Sequence, residues 1–254
     1  MFDFAKKVIS ARIDEVHLFS VGQAGFIIRS ASGKLLGIDL YLSDCVERVE
    51  GNSGFKRLLP KILSVDELEF DAIICTHPHL DHFDIDSVPE LLANGNTKLY
   101  CSTDCSKLVK QTYMEKYNPQ ITYVKPSDHY KTEDFNISFV NCDHGQGAPD
   151  AVGVVVEVNG RTIYEAGDTC LRLDRVSEIP QPLDVLIAPI NGMYGNMDYK
   201  DCATLAEALK PKITIPCHYG MFASHGGDLK GFYEIMVQKD FPMLLMTQGD
   251  RYTL

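Results

Sequence analysis

Short apolar runs recur along the chain, and several of them stop at a histidine or an aspartate. Runs of four to eight apolar or alternating residues bounded by turn formers read as strands. On that basis strands are predicted at residues 16–19, 25–29 and 34–39, with Ala31-Ser32-Gly33-Lys34 as a hairpin turn. Residues 44–63 are polar and irregular, carry Gly51, Gly54 and Pro60, and read as a loop with some helix. A strand at 71–76 runs into His77. A helix at 86–93 stops at Asn94-Gly95. A strand at 98–101 follows, and Ser102 is placed to cap a helix extending to residue 117.

Strands at 121–125 and 135–141 come next, with His129 in a polar turn between them. The pair 152–158 and 162–166 flanks Asn159-Gly160, a strong two-residue hairpin signal. A strand at 184–189 precedes a helix capped by Asp198 and stopped by Pro211. A strand at 213–217 ends at His218, a helix at 228–239 follows Gly226-Gly227, and a last strand is predicted at 243–248. Strands come first and strand–helix alternation later, which predicts an α/β fold with many antiparallel strands. No linker or repeat interrupts it, so residues 1–254 are expected to form one domain.

Composition narrows the function. With 24 Lys+Arg against 35 Asp+Glu the formal net charge is −11, which argues against a general binder of nucleic acid or anionic membranes. No apolar run reaches the ~18–20 residues of a membrane span. Met1-Phe2-Asp3-Phe4-Ala5-Lys6-Lys7 has no long apolar stretch after its charges and reads as lacking a signal peptide. Eight cysteines in 254 residues are too sparse for a disulfide scaffold, and several lie inside apolar runs. They read as small buried residues of a protein in a reducing cytoplasm. Cys101-x-x-x-Cys105 has poor spacing for a zinc knuckle.

The chemistry is concentrated in Thr76-His77-Pro78-His79-Leu80-Asp81-His82, where three imidazoles and a carboxylate lie within six residues just after a strand. His and Asp ligate borderline divalent metals. The spacing is tight for one ion and suits two, with His77 and His79 turned one way and Asp81 and His82 the other. His144, Asp168 and His218 each follow a predicted strand. Strand ends on one edge of an α/β assembly converge on one crevice. Together these make seven ligand-type residues.

That order, His77-x-His79-x-Asp81-His82 and then His144, Asp168 and His218, resembles the metallo-β-lactamase superfamily. Ile38-Asp39-Leu40-Tyr41-Leu42-Ser43-Asp44, Tyr164-Glu165-Ala166-Gly167-Asp168-Thr169 and the segment from Ile215 to Phe222 are similar to the UlaG-like hydrolases grouped with L-ascorbate-6-phosphate lactonase. Leu40 stands where members of that group often carry proline. The resemblance implies a four-layered αββα sandwich with two divalent ions, zinc or manganese, at one edge. It implies that His77, His79 and His144 hold one ion, that Asp81, His82 and His218 hold the other, that Asp168 bridges them, and that Asp39 orients a ligand by hydrogen bonding. A glutamate stands at the position of His79 in flavodiiron oxygen reductases, so the histidine argues for hydrolysis. The long insertions of nucleic-acid-cleaving relatives do not fit in this length, so long nucleic acids are not expected as substrates.

The implied activity is hydrolysis by a metal-activated hydroxide, with Asp81 placing it and shuttling its proton. His225 is the first candidate for leaving-group acid and Tyr219 the second. A small anionic substrate, such as a sugar-acid lactone phosphate, needs cations besides the metals. Arg48, Lys56 and Arg57 in the irregular segment are the candidates, with Tyr219 as a further contact. A phosphodiesterase and a non-catalytic metal-binding module are the alternative readings. A homo-oligomer is also expected, since enzymes of this size are often symmetric assemblies.

Overall fold

In the strands, alternate side chains enter alternate cores, and this sorts the chain into layers. The computed structural model describes residues 3–51 and 54–254. The readings above that include Met1, Phe2, Asn52 and Ser53 lie, at those positions, outside the described residues.

One sheet contains β1 (His17–Gly22), β2 (Gly25–Arg29), β3 (Leu35–Ile38), β4 (Ala72–Cys75), β5 (Lys98–Ser102), β6 (Ile121–Val124) and β13 (Arg251–Thr253), in the order β13-β1-β2-β3-β4-β5-β6. The second contains β7 (His129–Lys131), β8 (Phe135–Asn141), β9 (Val152–Val158), β10 (Arg161–Glu165), β11 (Val185–Pro189) and β12 (Ile213–Cys217), in the order β12-β11-β10-β9-β8-β7. In β2, Phe26 and Ile28 face the second sheet, while Ile27 joins a separate outer cluster. Across the inter-sheet core they meet Ile137, Phe139, Val154 and Val156 of β8 and β9. The outer cluster packs Ile27, Ile73 and Leu99 under α1 (Asp3–Ile9), α3 (Ser87–Leu92) and α4 (Ser106–Gln111). On the far face of the second sheet, Val155, Leu186 and Ala188 pack against α5 (Tyr199–Leu209) and α6 (Leu229–Gln238). The result is helix, sheet, sheet, helix, the metallo-β-lactamase sandwich that the motifs imply.

The hairpin expectations hold: β2 and β3 pair antiparallel, and β9 and β10 pair antiparallel around Asn159-Gly160. Asp198 caps α5, accepting from the Lys200 and Asp201 amides. Three expectations are corrected. Ser102 makes no side-chain cap, and the expected long helix is broken, because Tyr113 turns left-handed (φ 57°) and a 3-10 stretch, Met114–Gln120, follows α4. His129 begins a short edge strand in place of a turn. Residues 44–63 hold α2 (Cys45–Glu50) within irregular chain, the expected loop with some helix. The apolar stretch 243–248 is not a strand: Met243 forms one bridge to Thr214, while Leu244 and Met246 plug the inter-sheet core. There the apolar pattern reports burial rather than pairing. The terminal strand is Arg251–Thr253, antiparallel to β1.

The parallel run β3-β4 in one sheet and β10-β11-β12 in the other point their C-terminal ends to the same rim. The amide of Val152 donates to the Thr76 carbonyl (3.1 Å), and that of His218 to the Gln23 carbonyl (3.0 Å), so the sheets are stitched together there. Among the described residues no helix is long and apolar enough to cross a membrane.

Candidate metal centre

All seven ligand-type residues reach this rim. His77 to His82 follow β4, His144 follows β8, Asp168 follows β10 and His218 follows β12. Asp168 is placed by Gly167, whose φ of 68° and whose close approach to the Val152 carbonyl, 2.9 Å from where a Cβ would sit, exclude a side chain. Asp39, Gln23 and His218 also adopt left-handed backbone (φ 46°, 56° and 60°). Such conformations in non-glycine residues cost of order 1–3 kcal/mol and collect at sites that need a defined side-chain aim.

The side chains form two groups, His77, His79, His144 with Asp168, and Asp81, His82 with His218; within each, the candidate ligand atoms all lie within 4.8 Å of one another. His79 Nδ1 stands 2.9 Å from His77 Nε2 and 3.1 Å from His144 Nε2. Nitrogens sharing a tetrahedral ion at about 2.0–2.1 Å would stand roughly 3.3 Å apart. Asp168 spans the two groups. Its Oδ1 lies 2.7 Å from His218 Nε2 and 3.5 Å from His82 Nε2, and its Oδ2 lies 3.7 Å from His144 Nε2. Yet Asp168 Oδ1, His82 Nε2 and His218 Nε2 are buried without a properly directed hydrogen bond. Native proteins rarely leave such atoms unmatched. Their aim at shared points is what metal ligands require, so the residues fit a metal centre.

Supporting contacts hold the ligands in place. Asp39 accepts from the Thr76 amide (2.8 Å) and hydroxyl (2.7 Å), and its Oδ2 lies 2.6 Å from His82 Nδ1, which leaves Nε2 to face the site. Gln23 Nε2 reaches Asp81 Oδ2 (2.9 Å) and His218 Nδ1 (3.0 Å) together. Asn196 donates to Asp168 Oδ2 at 2.8 Å. Sequence reasoning missed Gln23, Thr76 and Asn196, since an isolated amide or hydroxyl carries no spacing signal. Gln23→Ala is expected to weaken metal binding by about 10–100-fold. A competitive chelator titration of wild type and variant measures it, and unchanged affinity would remove Gln23 from the supporting set.

Burial opposes protonation of His77 and holds its pKa well below the ordinary value; it likewise lowers that of His144, to about 4. Burial opposes protonation of His82 too, but the Asp168, Asp39 and Asp81 carboxylates outweigh it and hold its pKa well above the ordinary value in the metal-free protein. Glu165, buried beneath the rim, is pushed up by burial and by Asp39.

A cleft of about 650 Å³ opens over the site and is lined by His79, Asp81, His144, Asp168 and His218 on its floor. His225 lines it as well, stacked on Phe55 (centroids 4.9 Å apart), with Nε2 2.9 Å from the Tyr194 hydroxyl and Nδ1 2.6 Å from Ser224 Oγ. The expected cationic and phenolic contacts are elsewhere. Arg48 forms a bidentate pair with Asp86 on the surface (2.7 and 2.8 Å). Arg57 turns inward, over the Tyr41 ring, and donates to the Tyr41, Ser43 and Leu59 carbonyls. Tyr219 donates its phenol to the Met246 carbonyl. Lys56 is exposed and outside the lining. Buried backbone carbonyls need donors, and Arg57 and Tyr219 supply them.

The β-lactamase superfamily domain matches residues 41–219, a span that starts just past Asp39 and ends just past His218. The chain belongs to the metallo-β-lactamase superfamily. Its relatives include a UPF0173 metal-dependent hydrolase of Thermococcus onnurineus, 30% identical over 183 residues, covering 68% of this chain and 78% of the relative. Another, from Saccharolobus solfataricus, is 28% identical over 200 residues, covering 78% of this chain and 86% of the relative. Among solved structures, a metallo hydrolase of Ignicoccus hospitalis superposes with a TM-score of 0.73 at 20% identity, over 94% of this chain and 98% of that one. This superfamily member is thus a metal-dependent hydrolase by family, with a candidate multi-residue metal site at the rim of its two sheets.

Proposed function

We propose that the protein is a dinuclear hydrolase of small carboxylic esters or lactones, carrying zinc or manganese. The observation that supports this most is the pair of ligand groups sharing Asp168, with Asp168 Oδ1, His82 Nε2 and His218 Nε2 buried without hydrogen bonds. His77, His79 and His144 would hold one ion, Asp81, His82 and His218 the other, and Asp168 both. Bound metals supply an acidified water at neutral pH and charge stabilisation for the developing oxyanion. Asp81, held by Gln23 and lining the cleft, takes up the proton of the attacking water. The Tyr194–His225 pair, facing the same cleft, delivers a proton to the leaving oxygen. The similarity of the 164–169 and 215–222 segments to the UlaG-like lactonases supports acyl over phosphoryl chemistry. Eight free thiols, seven of them buried, suit the cytoplasm.

The test is reconstitution with zinc and manganese separately, metal content by mass spectrometry, and turnover of γ-lactones against bis-p-nitrophenyl phosphate. Two equivalents of metal and chelator-sensitive lactone opening are expected. Diester cleavage alone would transfer the protein to the phosphodiesterases, and two metals with neither activity would make it a binding module.

Acid separates the two groups. His77 and His144 resist protonation, so their ion is retained into mild acid; His82 regains a proton readily as pH falls, so its ion leaves first. Metal content against pH should therefore fall from two to one before falling to zero. Simultaneous loss would contradict the assignment.

A further inference from the structure

The walls of the cleft differ from its floor. Val46 and Val49 of α2, Phe55, Leu108 of α4 and Phe222 form an apolar lining above the metal ligands, and no Lys or Arg is among the lining residues. Among the described lining residues, the one charged side chain besides the metal-ligand type is acidic, Glu50 on the same wall. Two of the cations nearby in sequence are committed, Arg48 to Asp86 and Arg57 to three backbone carbonyls, and Lys56 is exposed outside the lining. A net charge of −11 further disfavours an anion's approach. A volume of about 650 Å³ is far more than a reacting ester group needs and falls in the ~300–1,000 Å³ range of small-molecule sites. Val49, 55% exposed, and Tyr194, 58% exposed, extend the apolar surface to the mouth.

We infer that the substrate is an uncharged ester or lactone carrying an apolar arm, which lies against Val46, Val49, Phe55, Leu108 and Phe222 while the carbonyl sits over the His/Asp floor. This rests on the acyl-hydrolase reading above and is set against the anionic substrate implied by the lactonase resemblance, with Arg48, Lys56, Arg57 and Tyr219 as its candidate contacts. Hydrolysis adds one water: its oxygen bonds to the carbonyl carbon and the acyl C–O bond breaks. One proton ends on the alcohol, the other on the acid, which ionises. The burial of each added methylene is the source of specificity, and a phosphate on the arm meets no Lys or Arg among the described lining residues.

The experiment uses the full metal-loaded chain with two readouts. The first is kcat/KM for γ-lactones from butyrolactone to decalactone, and for gluconolactone against its 6-phosphate. The second, independent of turnover, is calorimetric binding of n-alkyl amides of increasing length. Each methylene is expected to raise kcat/KM and affinity by roughly two- to four-fold until the cleft is filled. The 6-phosphate is expected to gain nothing, within threefold. Val49→Lys, on an exposed helix position, is expected to flatten the chain-length dependence in both readouts. A flat series in both readouts, a tenfold gain from the phosphate, or an unaltered slope in Val49→Lys would each overturn the inference. Loss of all lactone turnover with the amide slope intact would instead overturn the acyl-hydrolase reading and keep the apolar-arm site.

Discussion

Asp168→Ala is expected to empty both halves of the site and to lower kcat/KM by roughly a thousandfold or more. Asp168 faces both ligand groups, with Oδ1 toward His218 and His82 and Oδ2 toward His144. Its removal leaves three ligand residues on each side, but leaves their imidazoles crowded with no carboxylate between them. Metal-supplied charge stabilisation is worth several kcal/mol, and each 1.36 kcal/mol is tenfold in rate. Metal content and turnover should fall together while far-ultraviolet circular dichroism stays unchanged. Two bound equivalents with wild-type turnover in Asp168→Ala would sink the bridging role, and with it the dinuclear reading.

Asp84→Ala is expected to destabilise the fold by about 3–5 kcal/mol, because several buried donors lose one shared acceptor. Asp84 is fully buried. Its two oxygens accept from the Leu42 and Ser43 amides (2.9 and 2.8 Å), the Ser43 hydroxyl (2.7 Å), the Asp86 and Ser87 amides (3.0 and 3.1 Å) and the Ser87 hydroxyl (2.9 Å). It therefore ties the segment after Asp39 to the start of α3, and the metal motif lies between those anchors. Alanine leaves several buried donors without an acceptor, each costing ~1–3 kcal/mol unless water enters. Urea unfolding of the metal-free variant measures the loss free of metal linkage. A change below ~1 kcal/mol would mean that water replaces the carboxylate and that Asp84 is not a fold anchor.

Asp84 and Asp168 also show how unevenly the molecule could be read in advance. Asp168 is legible because it follows a strand and a glycine in a chain already marked by His77, His79, Asp81 and His82. Asp84 is not, because its partners are mostly backbone amides, which every residue carries. Gln23 is silent for a similar reason: it meets His218 across 195 residues of chain, and nothing local to either foretells the contact. The strand 135–141 and the strand 213–217 are read to the residue, as both are apolar runs with clear stops. The stretch 243–248 misleads because apolar character is needed equally for pairing and for plugging a core.

By itself the sequence determined the strand-rich α/β layering and the set of metal-ligand types, because both are written in local patterns: side-chain periodicity and a dense run of imidazole and carboxylate groups. Tertiary structure alone decided which way the long side chains turn. Arg48, Arg57 and Tyr219 lie close in sequence to the site, yet a carboxylate and buried carbonyls claim them. Val46, Val49, Leu108 and Phe222 come from distant segments and meet only once the sheets have stacked. Charge and apolar surface act through space, so the character of the cleft belongs to the fold, while the chemistry of its floor was already present in the order of its histidines.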